Sequence, residues 1–338
     1  MSGSGAVTIR DVAELAGVSL STVSAALNRP ERVSGKTLRA VRDAAQTLGY
    51  IRNDAARALR LGQSQAVGIV ISEGTSPFYG EVIRAADARL VARGYSSLVG
   101  SYYHDQSALA RLVRMFGEQQ VRGLLVNPVV HESLPVMEAL RLRGVPIVHV
   151  DAVTPWPDTC SVTTDNVIGG RIAAQHLVAM GRYRIALVRG PVELGQIQLR
   201  LDGARDTCQK LGIACEEIVA STYFVRGGVE TGAVIASRPA AQRPDAVFAA
   251  NDILAMGVVS TLVERGIRVP EDVAVVGYDD TDFAIAARVP LTTVRQPASD
   301  VGARAATLLL EEIEHPAEHQ HEQTVLLPEL VVRASAIA

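Results

Sequence analysis

Residues 8–62 read TIRDVAELAGVSLSTVSAALNRPERVSGKTLRAVRDAAQTLGYIRNDAARALRLG. Apolar residues recur at helical spacing in three short runs. Each run is preceded by a hydroxyl residue that can cap a helix, namely Thr8, Ser19 and Ser34. A glycine follows the first run and another follows the third, where glycine commonly ends a helix. The stretch therefore predicts three compact helices around one small core.

The second helix of this set has two faces of different character. Val23, Ala26 and Leu27 fall on one side and predict the buried face. A second helix that follows a tight glycine-containing turn and shows a small, mostly polar outer face is typical of the helix-turn-helix, whose second helix enters the major groove. An ordinary three-helix bundle is the alternative that these residues leave open. The residues of the outer face are Leu20, Ser21, Ser24, Ala25 and Asn28.

A short segment after the third helix carries its own start signal. Asn53 is a good helix cap, and residues 53–61 are long enough for only about two helical turns. A helix of that length is marginal in water and orders only when a partner holds it. We therefore predict a hinge whose folding depends on what the chain binds.

Several signatures together match one known family, and residues 7–62 resemble the head of the LacI/GalR (lactose-repressor-like) transcription factors. The matching signatures are Thr8-Ile9-x-Asp11-Val12-Ala13, Gly17-Val18-Ser19-x-x-Thr22-Val23-Ser24, Leu27-Asn28, Val33-Ser34-x-Lys36-Thr37, Leu48-Gly49-Tyr50 and Asn53-x-x-Ala56-Arg57-x-Leu59. The resemblance implies a homodimeric regulator, most often a repressor, in which each head takes half of a pseudo-palindromic, double-stranded operator. It also implies that Leu59 is a wedge inserted into the minor groove.

The residues predicted to contact DNA lie on the head and on the hinge. They are Thr8, Leu20, Ser21, Thr22, Ser24, Ala25, Asn28, Arg32, Ser34, Thr37, Asn53, Arg57, Leu59 and Arg60. One position departs from the family pattern, because Ala25 stands where an arginine commonly grips a guanine. We expect weaker selection for G there, with thymine-methyl contacts and DNA deformability carrying more of the specificity.

Charge is distributed unevenly along the chain. The 338 residues carry a formal net charge of −3, but residues 1–62 hold nine Arg/Lys against five Asp/Glu, a net of +4. The remaining residues hold 24 against 31, a net of −7. A basic end can attract phosphate while the acidic body stays clear of it, so the distribution favours a nucleic-acid partner for the head alone.

The remaining composition predicts a cytoplasmic protein that needs no cofactor. Cys160, Cys208 and Cys215 form no CxxC pair and are typical of packed, reduced thiols. No apolar stretch resembles a signal peptide or a membrane span. His315, His319 and His321 lie near acidic residues, but Pro316 breaks the helix that would align them, so we predict a solvated loop and no metal site.

From residue 66 onward, apolar strands alternate with helical runs, which predicts an α/β body with parallel sheets covered on both faces. The length suits two doubly wound subdomains. The resemblance implies a periplasmic-binding-protein-like pair joined by three crossings. The predicted organisation is a head at residues 1–52, a hinge and linker at 53–65, and a body at 66–338, with one subdomain at about 66–161 and 294–322 and the other at about 162–293 and 323–338.

Loops after the predicted strands carry the chemistry of a small-molecule site. Carboxylates, an amide and an arginine beside aromatic rings suit a hydroxyl-rich ligand held between subdomains. The resemblance implies an effector, most commonly a sugar, with nucleobases and phosphoprotein corepressors as rarer cases. The residues predicted to bind it are Phe78, Tyr79, Asp151, Arg200, Tyr223, Asn251, Asp279 and Gln296.

Purely structural roles, namely helix capping and core packing, are alternatives for several of these residues. Asp279 and Asp280 suit capping of the following turn, Asn251 suits capping of a helix, and Phe78 suits the core. Arg200 is predicted to begin a helix. Two other protein classes also compete. No P-loop, GxSxG elbow or metal-ligand spacing supports an enzyme. A solute-binding protein would share the body's fold but would lack the head.

Overall fold

The computed structural model describes residues 7–50, 64–127, 134–154, 156–192 and 194–337. The chain divides into two compact units, one ending at Ser64 and the other running from Gln65 to Ala338. The predicted hinge, with Asn53, Arg57, Leu59 and Arg60, lies outside the described residues. None of the helices in the described ranges combines the length and the apolar character needed to cross a membrane.

The head has the three predicted helices, α1 (Ile9–Ala16), α2 (Leu20–Asn28) and α3 (Gly35–Leu48). Asp11 accepts a 2.7 Å hydrogen bond from the backbone N–H of Thr8, and Gly17 ends α1 in the left-handed conformation at φ 65°. Ser19 accepts from the N–H of Thr22 at 3.1 Å, as expected of a cap for α2. The capping residues predicted from the sequence are therefore the residues that cap these helices.

A small apolar core holds the head together. Val12, Val23 and Val41, one from each helix, are fully buried against one another. Full burial of a valine side chain contributes about 1.5–3 kcal/mol, and a core this small has few such contributions. The fold of the head therefore depends on a handful of residues, and its outer surface is left for binding.

The body contains nine described helices and twelve described strands, which alternate as predicted. The helices are α4 (Pro77–Ala92), α5 (Gln106–Glu118), α6 (Leu134–Arg141), α7 (Asn166–Ala179), α8 (Gly195–Lys210), α9 (Val225–Ser237), α10 (Asp252–Glu264), α11 (Asp282–Ala286) and α12 (Ala298–Glu314). The strands are β1 (Ala66–Ile71), β2 (Ser96–Ser101), β3 (Leu124–Val126), β4 (Ile147–Val150), β5 (Cys160–Thr164), β6 (Arg184–Arg189), β7 (Ala214–Val219), β8 (Ala246–Ala249), β9 (Ala274–Asp279), β10 (Thr292–Arg295), β11 (Gln323–Leu326) and β12 (Glu329–Val331).

Two six-stranded sheets organise the body. The first has the order β11-β5-β4-β3-β1-β2 and the second β12-β10-β9-β8-β6-β7. Every pairing is parallel except that of β12 with β10. In β1, Ile69 packs on one face of the sheet and Val70 on the other, since alternate side chains point in opposite directions. Both faces are covered by helices, which is the doubly wound α/β fold that the alternation predicts.

The chain passes between the two sheets three times. It leaves the first sheet after Thr164, returns to it after Arg295 and leaves again after Leu326. The predicted boundaries at residues 161/162 and 322/323 are therefore wrong by a few residues. The first falls inside β5, which pairs with β4, and the second falls at the start of β11, which pairs with β5 throughout its length.

Candidate functional site

The candidate DNA-reading surface lies at the start of α2. Leu20 is 45% exposed although it is apolar, and Ser21 beside it is also exposed. Thr22, Ser24 and Ala25 are half-buried on the same helix. The surface is thus small and uncharged, and it can meet base edges only through hydroxyls and methyl groups.

Hydroxyl and basic residues flank this helix. Thr8 is exposed at the start of α1, and Arg32 is exposed in the short turn before α3. Ser34 accepts from the N–H of Thr37 at 3.2 Å and opens α3. Free N–H groups at helix starts attract phosphate oxygens, so these positions suit backbone contacts. The side chain of Asn28 lies outside the described part of the chain.

A cavity of about 150 Å³ lies where the carboxyl ends of the two sheets face each other. Side chains from both subdomains line it, as expected for parallel sheets whose strand ends converge. Seven of the eight predicted ligand residues surround it: Phe78, Tyr79, Asp151, Arg200, Tyr223, Asn251 and Asp279. Gln296 is not part of this lining, but its Nε2 donates to Asp279 Oδ1 at 2.7 Å.

Arg200 is held rigidly in the wall of the cavity. It lies in the second turn of α8, which begins at Gly195, so the prediction that it starts the helix is wrong. Its Nε donates to Asn166 Oδ1 at 2.7 Å, and its Nη1 donates to the Ala250 carbonyl at 2.8 Å. The guanidinium also stacks over Tyr278, 3.9 Å from the ring centroid. Only about 4% of Arg200 is exposed, so a charged group is presented in a fixed direction.

The close approach of two helices explains how Arg200 reaches this position. A Cβ at Gly170 on α7 would lie 1.8 Å from the Arg200 carbonyl oxygen, and a Cβ at Gly203 on α8 would lie 2.1 Å from that of Val167. Any side chain at either glycine would push α7 and α8 apart. The glycines therefore set the distance between Arg200 and Asn166.

Asp279 faces Arg200 from the end of β9. Its Oδ1 lies 3.8 Å from Arg200 Nη1. Burial nevertheless raises the pKa of Asp279 to about 8, against the opposing effect of Arg200. Its backbone has φ 112°, a conformation that costs free energy in a residue with a side chain. Strain and a costly buried carboxyl at one residue are typical of a functional site.

Asp151 plays a similar part on the first subdomain. Tyr79 Oη donates to its Oδ2 at 2.9 Å, and burial raises the pKa of Asp151. Its Oδ1 is buried and has no hydrogen-bond partner among the described residues, and the same holds for Gln296 Oε1. Buried acceptors without partners cost free energy unless a ligand or water donates to them. These two oxygens are places where hydroxyl groups of a ligand can bind.

The structure shows some of the alternative capping and core roles and not others. Asn251 does cap α10, accepting from the N–H of Leu254 at 2.8 Å, while it also lines the cavity. Phe78 is 4% exposed and packs edge to face with Tyr79 at 5.1 Å, so it belongs to both core and cavity. Asp280 instead forms ion pairs with Arg295 and Arg333. Thr281, and neither aspartate, occupies the N-cap position of α11, and its side chain makes no capping hydrogen bond there.

Sequence reasoning missed several residues that line the cavity or position Arg200. Gln196 lies one helical turn before Arg200 on α8, and its Nε2 is 3.5 Å from Tyr79 Oη across the two subdomains. The spacing i, i+4 relative to Arg200 is a signal that could have identified it. His104, in the loop after β2, also lines the cavity. Asn166 carries no such signal, because its role comes only from the contact between α7 and α8.

Comparison with known proteins agrees with this architecture. Residues 8–53 match the model of the bacterial regulatory proteins of the lacI family, and residues 174–336 match a periplasmic binding protein-like domain. The ribose operon repressor of Escherichia coli (strain K12) is 34% identical over 333 residues, which cover 97% of this chain and 99% of that protein. The HTH-type transcriptional repressor PurR of Haemophilus influenzae (strain PittEE) is 29% identical over 334 residues, covering 97% and 98%.

Two solved structures show the same likeness over almost the full chain, and a third shows it over four fifths of the chain. The lac repressor dimer bound to operator and the anti-inducer ONPF has a TM-score of 0.83 at 30% identity, covering 99% of this chain and 100% of that one. The complex of the transcriptional regulator CelR with cellobiose has a TM-score of 0.71 at 32% identity, covering 97% and 99%. A LacI family regulator from Enterococcus faecium with bound ribose has a TM-score of 0.71 at 26% identity, covering 80% and 98%.

A helix-turn-helix head followed by a two-subdomain binding body defines a DNA-binding transcriptional regulator rather than an enzyme. The chain belongs to the lacI family of bacterial regulatory proteins. The match of the head to that family excludes a solute-binding protein without a transcriptional role.

Proposed function

We propose that this protein is a cytoplasmic, homodimeric repressor whose operator affinity is set by a monosaccharide in the cavity between its two subdomains. The observation that carries the proposal is the pair of buried acceptors without partners, Asp151 Oδ1 and Gln296 Oε1. Asp151 lines the cavity together with the buried Arg200 and the carboxyl of Asp279, and Gln296 lies next to the cavity, where it donates to Asp279. A polyhydroxylated ligand supplies the donors and acceptors that this set requires.

The size of the cavity narrows the ligand class. Sites for drug-sized ligands usually measure about 300–1,000 Å³, whereas this cavity is about 150 Å³. That space fits a single sugar ring, and a second cavity of about 500 Å³, lined by Gln296, shares Pro77, Phe78 and Asp279 with it. The relatives with ribose in their names or complexes support the same choice, although the CelR complex shows that the fold also accepts cellobiose.

Ligand contacts on both subdomains supply the coupling to DNA. Asp151 belongs to the first subdomain, while Arg200 and Asp279 belong to the second, so a ligand that bridges them favours one angle between the sheets. We propose that this angle sets the spacing of the hinges, residues 53–61, in a dimer on a pseudo-palindromic operator. The predicted division into head (1–52), hinge and linker (53–65) and body (66–338) is part of this proposal.

The same proposal assigns DNA contact to the predicted head and hinge residues. The outer face of α2 would read base edges, and the starts of α1 and α3 would hold phosphates. Leu59 would be the minor-groove wedge. Binding of the tag-free protein to its selected operator should weaken steeply with salt, because the head neutralises phosphates.

A thermal-shift screen with pentoses, hexoses, disaccharides and purine bases tests the ligand class. We expect one monosaccharide to raise the melting temperature and to change operator affinity measured by fluorescence anisotropy. Asp151→Asn should lower the affinity for that sugar by more than about tenfold, since an amide replaces an anionic acceptor. Asp202→Asn, at a half-exposed aspartate on α8, is the matched control and should bind normally.

Two results would contradict the proposal. One is a melting-temperature rise with purine bases and none with sugars. The other is a sugar response that Asp151→Asn leaves intact, which would place the ligand elsewhere.

A further inference from the structure

A second cluster of ligand-bearing side chains lies at the opposite edge of the first sheet. Cys160 begins β5, whereas Asp151 follows the end of the parallel neighbour β4, so the two mark opposite ends of the sheet. The loop between α12 and β11 folds back onto Cys160. It brings the side chains of His319 and His321 against the thiol.

This finding corrects the interpretation of the three histidines as a solvated loop. Pro316 does follow the end of α12, and His315 is exposed as predicted. The side chain of His319, however, is only about 2% exposed, and Cys160 is fully buried. Loop closure, and not helical alignment, brings the residues together.

The distances in the cluster are those of a metal-binding set. Cys160 Sγ lies 3.2 Å from His319 Nε2 and 3.9 Å from His321 Nδ1, and the three ligand atoms all lie within 4.8 Å of one another. A tetrahedral zinc ion with Zn–S near 2.3 Å and Zn–N near 2.05 Å separates sulfur from nitrogen by about 3.6 Å. The two measured separations fall on either side of that value, so small side-chain movements are enough to admit an ion.

A fourth donor stands beside the histidines. Glu312, in the last turn of α12, places Oε2 3.9 Å from His319 Nε2. That oxygen is buried and has no hydrogen-bond partner among the described residues. The backbone N–H of Glu322 points at Cys160 Sγ at 3.4 Å, a contact that stabilises a thiolate. The close set is therefore one sulfur and two imidazole nitrogens, and the Glu312 carboxylate lies beside His319 but more than 4.8 Å from at least one of the other ligand atoms.

We propose that Cys160, His319, His321 and Glu312 form a binding site for a divalent transition-metal ion of the zinc type. Thiolate and imidazole ligands favour zinc over magnesium or calcium, which take sets made up of oxygen. A cavity of about 190 Å³ lies next to the cluster and is lined by Glu312, His321 and Thr159 among others.

A simpler account of the cluster leaves two features unexplained. The Cys160 thiol can donate to His319 Nε2 at 3.2 Å without any metal. That hydrogen bond does not account for His321 beside the same sulfur, nor for the buried Glu312 oxygen without a partner. An ion held by the sulfur and both imidazoles, with the Glu312 side chain turned toward it, would satisfy all four groups together.

A metal ion at this site would hold the loop between α12 and β11 against the first sheet. The loop leads directly into β11, the last strand of the first sheet before the chain crosses to the second. Metal bound between β5, the loop and the end of α12 would stabilise this edge of the first subdomain. Operator and sugar binding are not required for the ion to bind, so this inference stands apart from the proposed function.

Cobalt(II) titration of the tag-free, reduced and metal-stripped full chain tests the proposal. We expect one equivalent to bind with tetrahedral d–d bands and a thiolate-to-cobalt charge-transfer band, both displaced by zinc. Zinc should also raise the melting temperature. Cys160→Ser should abolish the charge-transfer band. His321→Gln and Glu312→Gln should each lower the affinity for cobalt by more than about tenfold, because even the loss of an outer-sphere partner lowers metal affinity by that much.

Matched controls separate this site from chance metal binding. His315→Gln changes an exposed histidine of the same loop, and Cys215→Ser changes a half-buried thiol elsewhere, so both should bind cobalt normally. Weak binding without a charge-transfer band, a band that survives Cys160→Ser, or equal losses in His315→Gln and His321→Gln would overturn the proposal. If Cys160→Ser does not fold, the cobalt affinity of His321→Gln tests the proposal, because His321 is exposed and its replacement should not prevent folding.

Discussion

The residues proposed to bind DNA in the head and those proposed to bind ligand in the cavity lie in opposite environments. Leu20 and Ser21 are exposed on α2, and the core of the head is built from other residues. Arg200 and Asp279 are buried, and they hold the second subdomain together while they face the cavity. A surface residue can thus change specificity alone, whereas a cavity residue changes stability and binding at once.

Arg200→Ala should give the largest effect. It leaves Asn166, the Ala250 carbonyl and Asp279 without their buried partner, so we expect a loss of about 3–5 kcal/mol in the free energy of unfolding of the body. Urea denaturation measures the loss. Arg205→Ala, at a half-exposed arginine on the same helix, should cost no more than about 1 kcal/mol. Equal losses would remove the contrast between the two regions.

The pH dependence of stability follows from the buried carboxyl of Asp279. Burial raises its pKa to about 8, above the value near 3.9 expected for an unfolded chain. Its contribution is therefore fully present below about pH 4 and is lost as the pH rises through 8, at up to about 1.4 kcal/mol per pH unit. Asp279→Asn should flatten the decline of melting temperature between pH 6 and 8. An unchanged slope would mean that Asp279 is ionised when folded.

Removing a helix cap in the head should have a smaller and local effect. Ser34→Ala deletes the oxygen that accepts from the N–H of Thr37, which costs about 1 kcal/mol. We expect weaker operator binding, with sugar affinity of the body unchanged. Fluorescence anisotropy with operator and calorimetry with sugar separate the two. A parallel loss of sugar binding would show that the head and the cavity are not independent.

Ala25→Arg should leave stability within about 0.5 kcal/mol, because the position is on the outer face of α2. It should nevertheless introduce selection for guanine, since arginine can bind the O6 and N7 of that base with two hydrogen bonds. Selection of sites from random DNA by the two proteins measures the change. The same consensus for both would refute the assigned reading face.

Most of the fold could be predicted from local signals. The caps Thr8, Ser19 and Ser34 open helices as predicted, because a cap acts on N–H groups two or three residues away. The edge strand β7 carries a weaker local signal than the central strands. Its sequence ACEEIV includes two consecutive glutamates, which point to opposite faces and are both exposed at the edge of the sheet, where Glu216 pairs with Arg238 and Glu217 with Arg189.

The cavity was harder to predict than the fold. Family resemblance and strand ends pointed to seven of its lining residues, but Gln196, His104 and Asn166 depend on which helix packs against which. The boundaries of the subdomains failed for the same reason. Residues 162–164 and 323–326 join the first sheet through pairing with distant strands, and no local pattern shows that pairing.

The sequence by itself determined the family, the helices of the head and the alternation of strand and helix, because caps, periodicity and turn residues act over a few positions along the chain. Only the tertiary structure decided that Arg200 meets Asp279, and that Cys160 meets two histidines nearly 160 positions away. Those encounters depend on strand order and loop closure, which are set by burial of the whole core and not by any neighbouring residue.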